Sequence, residues 1–143
     1  MFHFFSREVL NVEVEFYEFE HEEGLEYKDR IKYIPAMVFI NEQDIKLRAK
    51  ILRTVMLLEE KGISLREPHS KPLEDGIFEL RTKFGSDIAR NLYFFCDGDK
   101  AIITNGFLKK TQKTPSSEIE KAKKYRDDYF RQEDERKRKE KKS

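Results

Sequence analysis

Tryptophan is absent from the 143 residues, cysteine occurs once, and histidine and proline occur three and four times. One cysteine can build neither a disulfide framework nor a cysteine-based zinc site. Cys96 stands among Leu92, Tyr93, Phe94 and Phe95, so it reads as a small buried hydrophobe in a reducing compartment. His3, His21 and His69 are scattered, without the spacing of a metal site. Long apolar runs are missing too: no stretch reaches the roughly 18 residues that a membrane span needs. The opening MFHFFSREVLNVEVE lacks the basic and sustained apolar regions of an export signal. These absences point to a cytoplasmic protein with no membrane association, no metal and no cofactor.

What the chain does contain is aromatic bulk and charge. Twelve Phe and six Tyr supply large core side chains, while 40% of residues are charged. A chain of this length closes one hydrophobic core without staples, and the charge belongs to a solvated surface or tail. The net charge of +1 hides a gradient. Residues 1–30 carry three basic residues (Arg7, Lys28, Arg30) against nine acidic ones, whereas residues 106–126 carry seven basic ones against Glu118 and Glu120. Such asymmetry suits a polyanion on one side of the fold.

Periodicity predicts the elements. Val9 to Phe19 alternates in its middle, with Val12, Val14 and Phe16 inward and Glu13, Glu15 and Tyr17 outward, as in a half-buried strand. Pro35 suits the first turn of a short helix through Ile40. Asp44 to Lys61 carries an apolar stripe and ends at Gly62, the strongest helix signal in the chain. Ile63 to Gly76, with Pro68 and Pro72, reads as a connector. Ile77–Phe84, Ile88–Cys96 and Ala101–Gly106 follow as strands joined by Gly85-Ser-Asp87 and Asp97-Gly-Asp99, both of hairpin composition. A last helix starts either with Thr114 as cap and Pro115 at its first position, or through a Ser117/Glu120 capping box. Its apolar positions are Ile119, Ala122, Tyr125, Tyr129 and Phe130. The expectation is one α+β domain over residues 1–130: a strand, a helical hairpin and a terminal helix on one face of an antiparallel sheet with a three-strand meander. Residues 131–143 form a charged extension, a frayed helix or disordered.

The chemistry-bearing residues gather late in the chain. In FELRTKF (78–84), alternation puts Glu79, Arg81 and Lys83 opposite Leu80, and Arg90 on the next strand is a candidate for the same surface. Opposed strand residues lie about 4.5–5.5 Å apart, close enough for two arginines to address one phosphodiester. Behind the last strand, NGFLKKTQKTP sets Lys109, Lys110 and Lys113 beside Asn105, Thr111, Gln112 and Thr114. This stretch reads either as a solvated connector or as an anion cradle before a helix start. Tyr93, Phe107 and Gln112 are the nearest groups for stacking or base-edge contacts with RNA. Cleaving RNA needs no metal, because its 2′-hydroxyl is an internal nucleophile and the protein need only align it and stabilise the phosphorane. The residues alone leave nucleic-acid binding and an unspecified protein module side by side.

The segment from Lys71 to Asp127, and above all Phe107-Leu-Lys-Lys-Thr-Gln-Lys-Thr-Pro115 followed by Glu118-Ile119 and Ala122, closely resembles the phage-derived branch of HigB-like toxins in the RelE/ParE superfamily. Glu79-Leu-Arg81, Arg90-x-x-Tyr93-Phe94 and the helix KLRAKILRTVMLLEEKG support it. The resemblance implies a compact RelE-like fold and the toxin of a type II toxin–antitoxin pair. Its partner would be a HigA-like helix-turn-helix antitoxin, through which the complex binds operator DNA. The activity implied is metal-free cleavage of mRNA on the ribosome. By position, Arg81 grips the scissile phosphate and Arg90 supports it. Lys109 and Lys110 stabilise the transition state or protonate the leaving oxygen, and Lys71 and Lys113 contact backbone; Lys83 joins them as a candidate RNA contact. Two departures stand out. Phe78 replaces a common tryptophan, and Asn105 stands where the branch often has histidine, so that position offers no base near neutral pH.

Overall fold

The computed structural model describes residues 11–19, 33–109 and 113–142. Its elements are β1 (Glu13–Phe16), α1 (Pro35–Glu42), α2 (Ile45–Lys61), β2 (Ser70–Pro72), β3 (Phe78–Phe84), β4 (Asp87–Cys96), β5 (Lys100–Leu108) and α3 (Ser116–Lys142). The five strands form one sheet in the order β1-β5-β4-β3-β2. Strands β2 to β5 are antiparallel neighbours, and β1 joins β5 in parallel. The fold is α+β with a mixed sheet, not the purely antiparallel one expected. The cause is the long separation between the two partners: β1 and β5 are joined by no hairpin, and the chain between them includes α1 and α2, so β1 is free to lie along β5 in the same direction.

The turns follow their residues. Phe84 pairs with Asp87 across Gly85-Ser86, and Gly85 has φ +62°, a conformation open to glycine at little cost. At the next turn both Asp97 (φ +54°) and Gly98 (φ +75°) are left-handed, within a loop of three residues between Cys96 and Lys100. Asp44 caps α2 by accepting a hydrogen bond from the Leu47 amide at 2.9 Å, and Gly62 (φ +54°) ends it, as patterned. Pro35 occupies the start of α1. The predicted connector holds the short strand β2, which pairs Ser70 with Leu80 and Pro72 with Phe78. Pro72 is tolerated because β2 is an edge strand.

Helices cover both faces of the sheet. On one side α1 and α2 bury Ala36, Val55 and Leu58 against Leu80, Tyr93 and Ile103, while Phe39, Ile40, Leu47 and Ile51 pack near Ala89. On the other, α3 lays Ala122, Tyr125 and Tyr129 over Leu92, Phe94, Ile102 and Tyr17. The expectation of one open face is therefore corrected. Tyr17, expected outward, is 1% exposed; it stacks on Tyr125 at 4.8 Å and donates to Asp128 at 2.6 Å. An outward aromatic is inward as soon as a helix lies over it.

The last helix is continuous to Lys142, so the charged tail is helical over its described residues. Ion pairs along the helix, such as Arg131 with Asp128 (2.9 Å) and Glu135 (3.0 Å), extend it beyond its apolar face. It begins at Ser116, one residue past the expected proline: the amides of Glu118 and Ile119 both donate to the Pro115 carbonyl.

Candidate functional site

The site lies where α3 begins and leaves the end of the sheet uncovered. Glu79, Arg81 and Arg90 occupy one face of β3 and β4. Arg81 stands directly opposite Arg90, and Glu79 opposite Leu92, one diagonal from Arg90. Two guanidinium groups side by side repel each other, and the carboxylate between them makes the arrangement stable. Glu79 Oε2 accepts from Arg90 Nη1 at 2.6 Å and from Arg81 Nε at 3.3 Å, while Oε1 accepts from Thr114 Oγ1 at 2.6 Å. Side-chain exposure separates the two arginines: 22% for Arg81 against 4% for Arg90, with Glu79 at 1%. Arg90 is a buried member of the pair, and Arg81 reaches solvent.

A cavity of about 240 Å³ opens over this clamp, lined by Lys71, Glu79, Arg81, Lys109, Lys113, Thr114 and Ile119 among others. Four of these side chains are cationic, set against the buried carboxylate of Glu79 and that of Glu74 at the rim. Lys109 is fixed by its backbone, whose amide donates to the Ile88 carbonyl at 2.9 Å. Desolvation first, then the charge of Arg90, hold its ammonium below the ordinary lysine value, with Arg81 and Lys71 adding to the effect and Glu79 opposing it. Burial likewise lowers Arg90, opposed by the charge of Glu79. Chemically this is a concave cationic surface with a fixed guanidinium and a lysine whose proton is loosened, fit to hold a phosphate and stabilise added charge on it.

The structure brings together Arg81, Lys71, Lys109 and Lys113 of the residues singled out from sequence, with Arg90 beneath them. Lys83 lies nearby, exposed, in a neighbouring cavity with Arg81. Lys110 and Gln112, like Thr111, lie outside the described residues. Tyr93 is placed differently from expectation. It is 1% exposed, on the α1–α2 side, stacked on Phe78 at 5.4 Å and hydrogen-bonded to Ser70 Oγ at 2.5 Å. Alternation from Arg90 explains why: Tyr93 is an odd number of positions away and points through the sheet. Asn105 is also inside, 3% exposed. Its amide donates to the Glu118 carbonyl and carboxylate at 3.2 and 3.1 Å, and its carbonyl accepts from Thr104 at 2.7 Å. It seats the first turn of α3 and offers nothing to a ligand. Both residues are candidate RNA contacts by their place in the sequence, and neither lines the cationic cavity.

Two members of the site escaped the sequence reading. Glu79 was grouped with outward charges, yet a glutamate diagonal to an arginine buried on the next strand is the cross-strand pair that would have flagged it. Thr114, one of two alternative caps for the last helix and a member of the lysine-rich stretch, bonds Glu79. Among the described residues no three His, Cys, Asp or Glu side chains form a metal-binding group, and no helix is long and apolar enough to cross a membrane.

Comparison with curated proteins finds no match. The profile of one family, Phage derived protein Gp49-like (DUF891), matches residues 38–127. That match takes in α1 from its fourth residue, the whole of α2 and β2 to β5, and the first part of α3, and with them every described residue of the cationic cavity. The chain belongs to the phage-derived Gp49-like family.

Proposed function

We propose that this protein is the toxin of a type II toxin–antitoxin pair and acts as a metal-independent endoribonuclease on ribosome-bound mRNA in the cytoplasm. The observation that carries the reading is the clamp itself: a buried glutamate, anchored by Arg90, holds Arg81 in the lining of a cavity that also contains Lys109, whose pKa is lowered. Membership of a phage-derived family and the HigB-like pattern of the lysine-rich stretch support it.

In this reading Arg81 holds the scissile phosphate by its non-bridging oxygens, and Arg90 and Glu79 fix the plane of the Arg81 guanidinium from beneath. The 2′-hydroxyl of the preceding nucleotide attacks phosphorus and loses its proton to solvent water, charge builds on the phosphorane, and Lys109 gives a proton to the departing 5′-oxygen and is reprotonated from solvent. The products are a 2′,3′-cyclic phosphate and a 5′-hydroxyl. Alignment and electrostatic stabilisation do the work. A helix-turn-helix antitoxin would silence the protein and carry the complex to operator DNA.

Mapping mRNA 5′ ends after expression is the direct test. Wild type is expected to halt growth and leave new 5′ ends in translated messages, with growth restored by the antitoxin. R81A and K109A should each slow cleavage about 10²-fold or more while remaining folded. Cleavage that persists in an R81A/K109A variant would overturn the site, and salt-sensitive RNA binding with intact messages would make the protein a non-catalytic RNA binder. Gyrase-dependent DNA damage with intact messages would place it with the ParE-like toxins.

A further inference from the structure

Arg81 lines a second cavity, of about 320 Å³, that shares no other residue with the first. It follows the stretch of β3 that the short strand β2 leaves unpaired, since β2 ends its pairing at Leu80, and reaches the middle of α2. Lys50, His69, Lys83 and Arg90 contribute to it, and no carboxylate lines it. Glu79 holds Arg90 Nη1 and Arg81 Nε from outside this cavity's lining, and Glu67, 64% exposed, stands 3.9 Å from Arg81 Nη1, a contact loose enough for an anion to displace. Lys50 is held in place over the Phe84 ring, its Nζ 5.7 Å from the centroid. Arg90 is 3% exposed, yet its Nε finds no acceptor among the described residues. A buried N–H on a cationic group without an acceptor is costly, and an anionic oxygen entering this cavity would relieve it.

We propose that this cavity is a second phosphate subsite for single-stranded RNA, so that the strand crosses β3 over Arg81 with adjoining backbone phosphates on either side. The inference rests on the RNA reading above and specifies the path of the strand. Arg81 stands at the crossing, Lys50 and Lys83 hold the outer phosphate, and Arg90 Nε gains its acceptor. Affinity therefore depends on substrate length, because only a longer strand fills both cavities.

The test uses fluorescein-labelled 2′-O-methyl oligonucleotides, which bind without being cut, of two and six nucleotides, with the full chain in low salt. Wild type should bind the hexamer at least about tenfold more tightly than the dinucleotide. K50Q/K83Q changes two exposed side chains; it should lose most of that advantage, leave dinucleotide affinity within about twofold, and flatten the salt dependence of hexamer binding by roughly one unit of log–log slope. A K50Q/K83Q protein that holds the hexamer as wild type does overturns the subsite, and so does a wild type with no preference for the hexamer. The two readings separate cleanly. Lysine-dependent hexamer binding by a protein that cuts no ribosome-bound mRNA keeps the subsite and defeats the nuclease; cutting with hexamer binding indifferent to Lys50 and Lys83 does the reverse.

Discussion

Glu79 decides more than any other single side chain. Its carboxylate is the only acidic group bonded to both Arg81 and Arg90 among the described residues, and it sits at 1% exposure. Truncation to alanine leaves the Arg90 charge buried without its partner, a situation that costs about 3–5 kcal/mol. E79Q keeps the volume and one acceptor. It should fold with a smaller loss in urea denaturation, bind RNA nearly as well as wild type, and turn over at least about tenfold more slowly, because Arg81 is no longer held in plane. An E79Q protein with wild-type kcat would remove the clamp from the mechanism. Lys109 supplies the pH dependence. Burial and neighbouring cations depress its pKa below the ordinary 10.5, and the reaction uses its protonated form. The rate is then steady at lower pH and falls as pH rises through the lowered pKa, so the alkaline limb of the pH–rate profile lies below 10.5. K109R, which stays charged throughout, should erase that limb while retaining part of the rate; an unchanged limb in K109R assigns it to another group.

At the level of elements, α3 is two devices in one helix. Its first half buries Ile119 and Ala122, its middle packs Tyr129 and Phe130 on Phe94 at 5.8 and 5.6 Å, and from Arg136 onward every described residue is exposed. Ending the chain after Glu135 should move the melting temperature by no more than about 2 °C, whereas ending it after Asp127 removes Asp128 from Tyr17 and takes the partly buried Tyr129 and the half-exposed Phe130 off Phe94. Partial burial of the two rings and the lost Tyr17 hydrogen bond together contribute about 2 kcal/mol, so the shorter chain should melt roughly 5–10 °C lower. Equal melting temperatures for the two would show that the middle of α3 holds nothing down. Legibility also divides by element. The α2 helix, its Asp44 cap, its Gly62 stop and the β3–β5 meander were readable because each rests on local periodicity and turn residues. The direction of β1 and the second helical layer were not: both depend on how distant segments meet, which alternation within a strand does not encode.

Over the whole molecule, the candidate site was legible as a set of cations and illegible as a geometry. Arg81, Lys71, Lys109 and Lys113 come together as their positions suggested. Tyr93 and Asn105 went inward because the sheet has a helical layer on each side, leaving little of either face for display. The net charge of +1 says little about such a protein; cationic side chains gather around two cavities that share a single arginine, and again along the exposed end of α3. The bond between Thr114 and Glu79 joins the clamp to the last element of the chain. Its consequence is one of timing. During synthesis the strands bearing Arg81 and Arg90 emerge first, and the hydroxyl that completes their clamp, with the helix that seats it, follows them. The clamp is thus complete only once residue 114 has been made, and a nascent chain that stops short of it carries the arginines without the hydroxyl that braces Glu79.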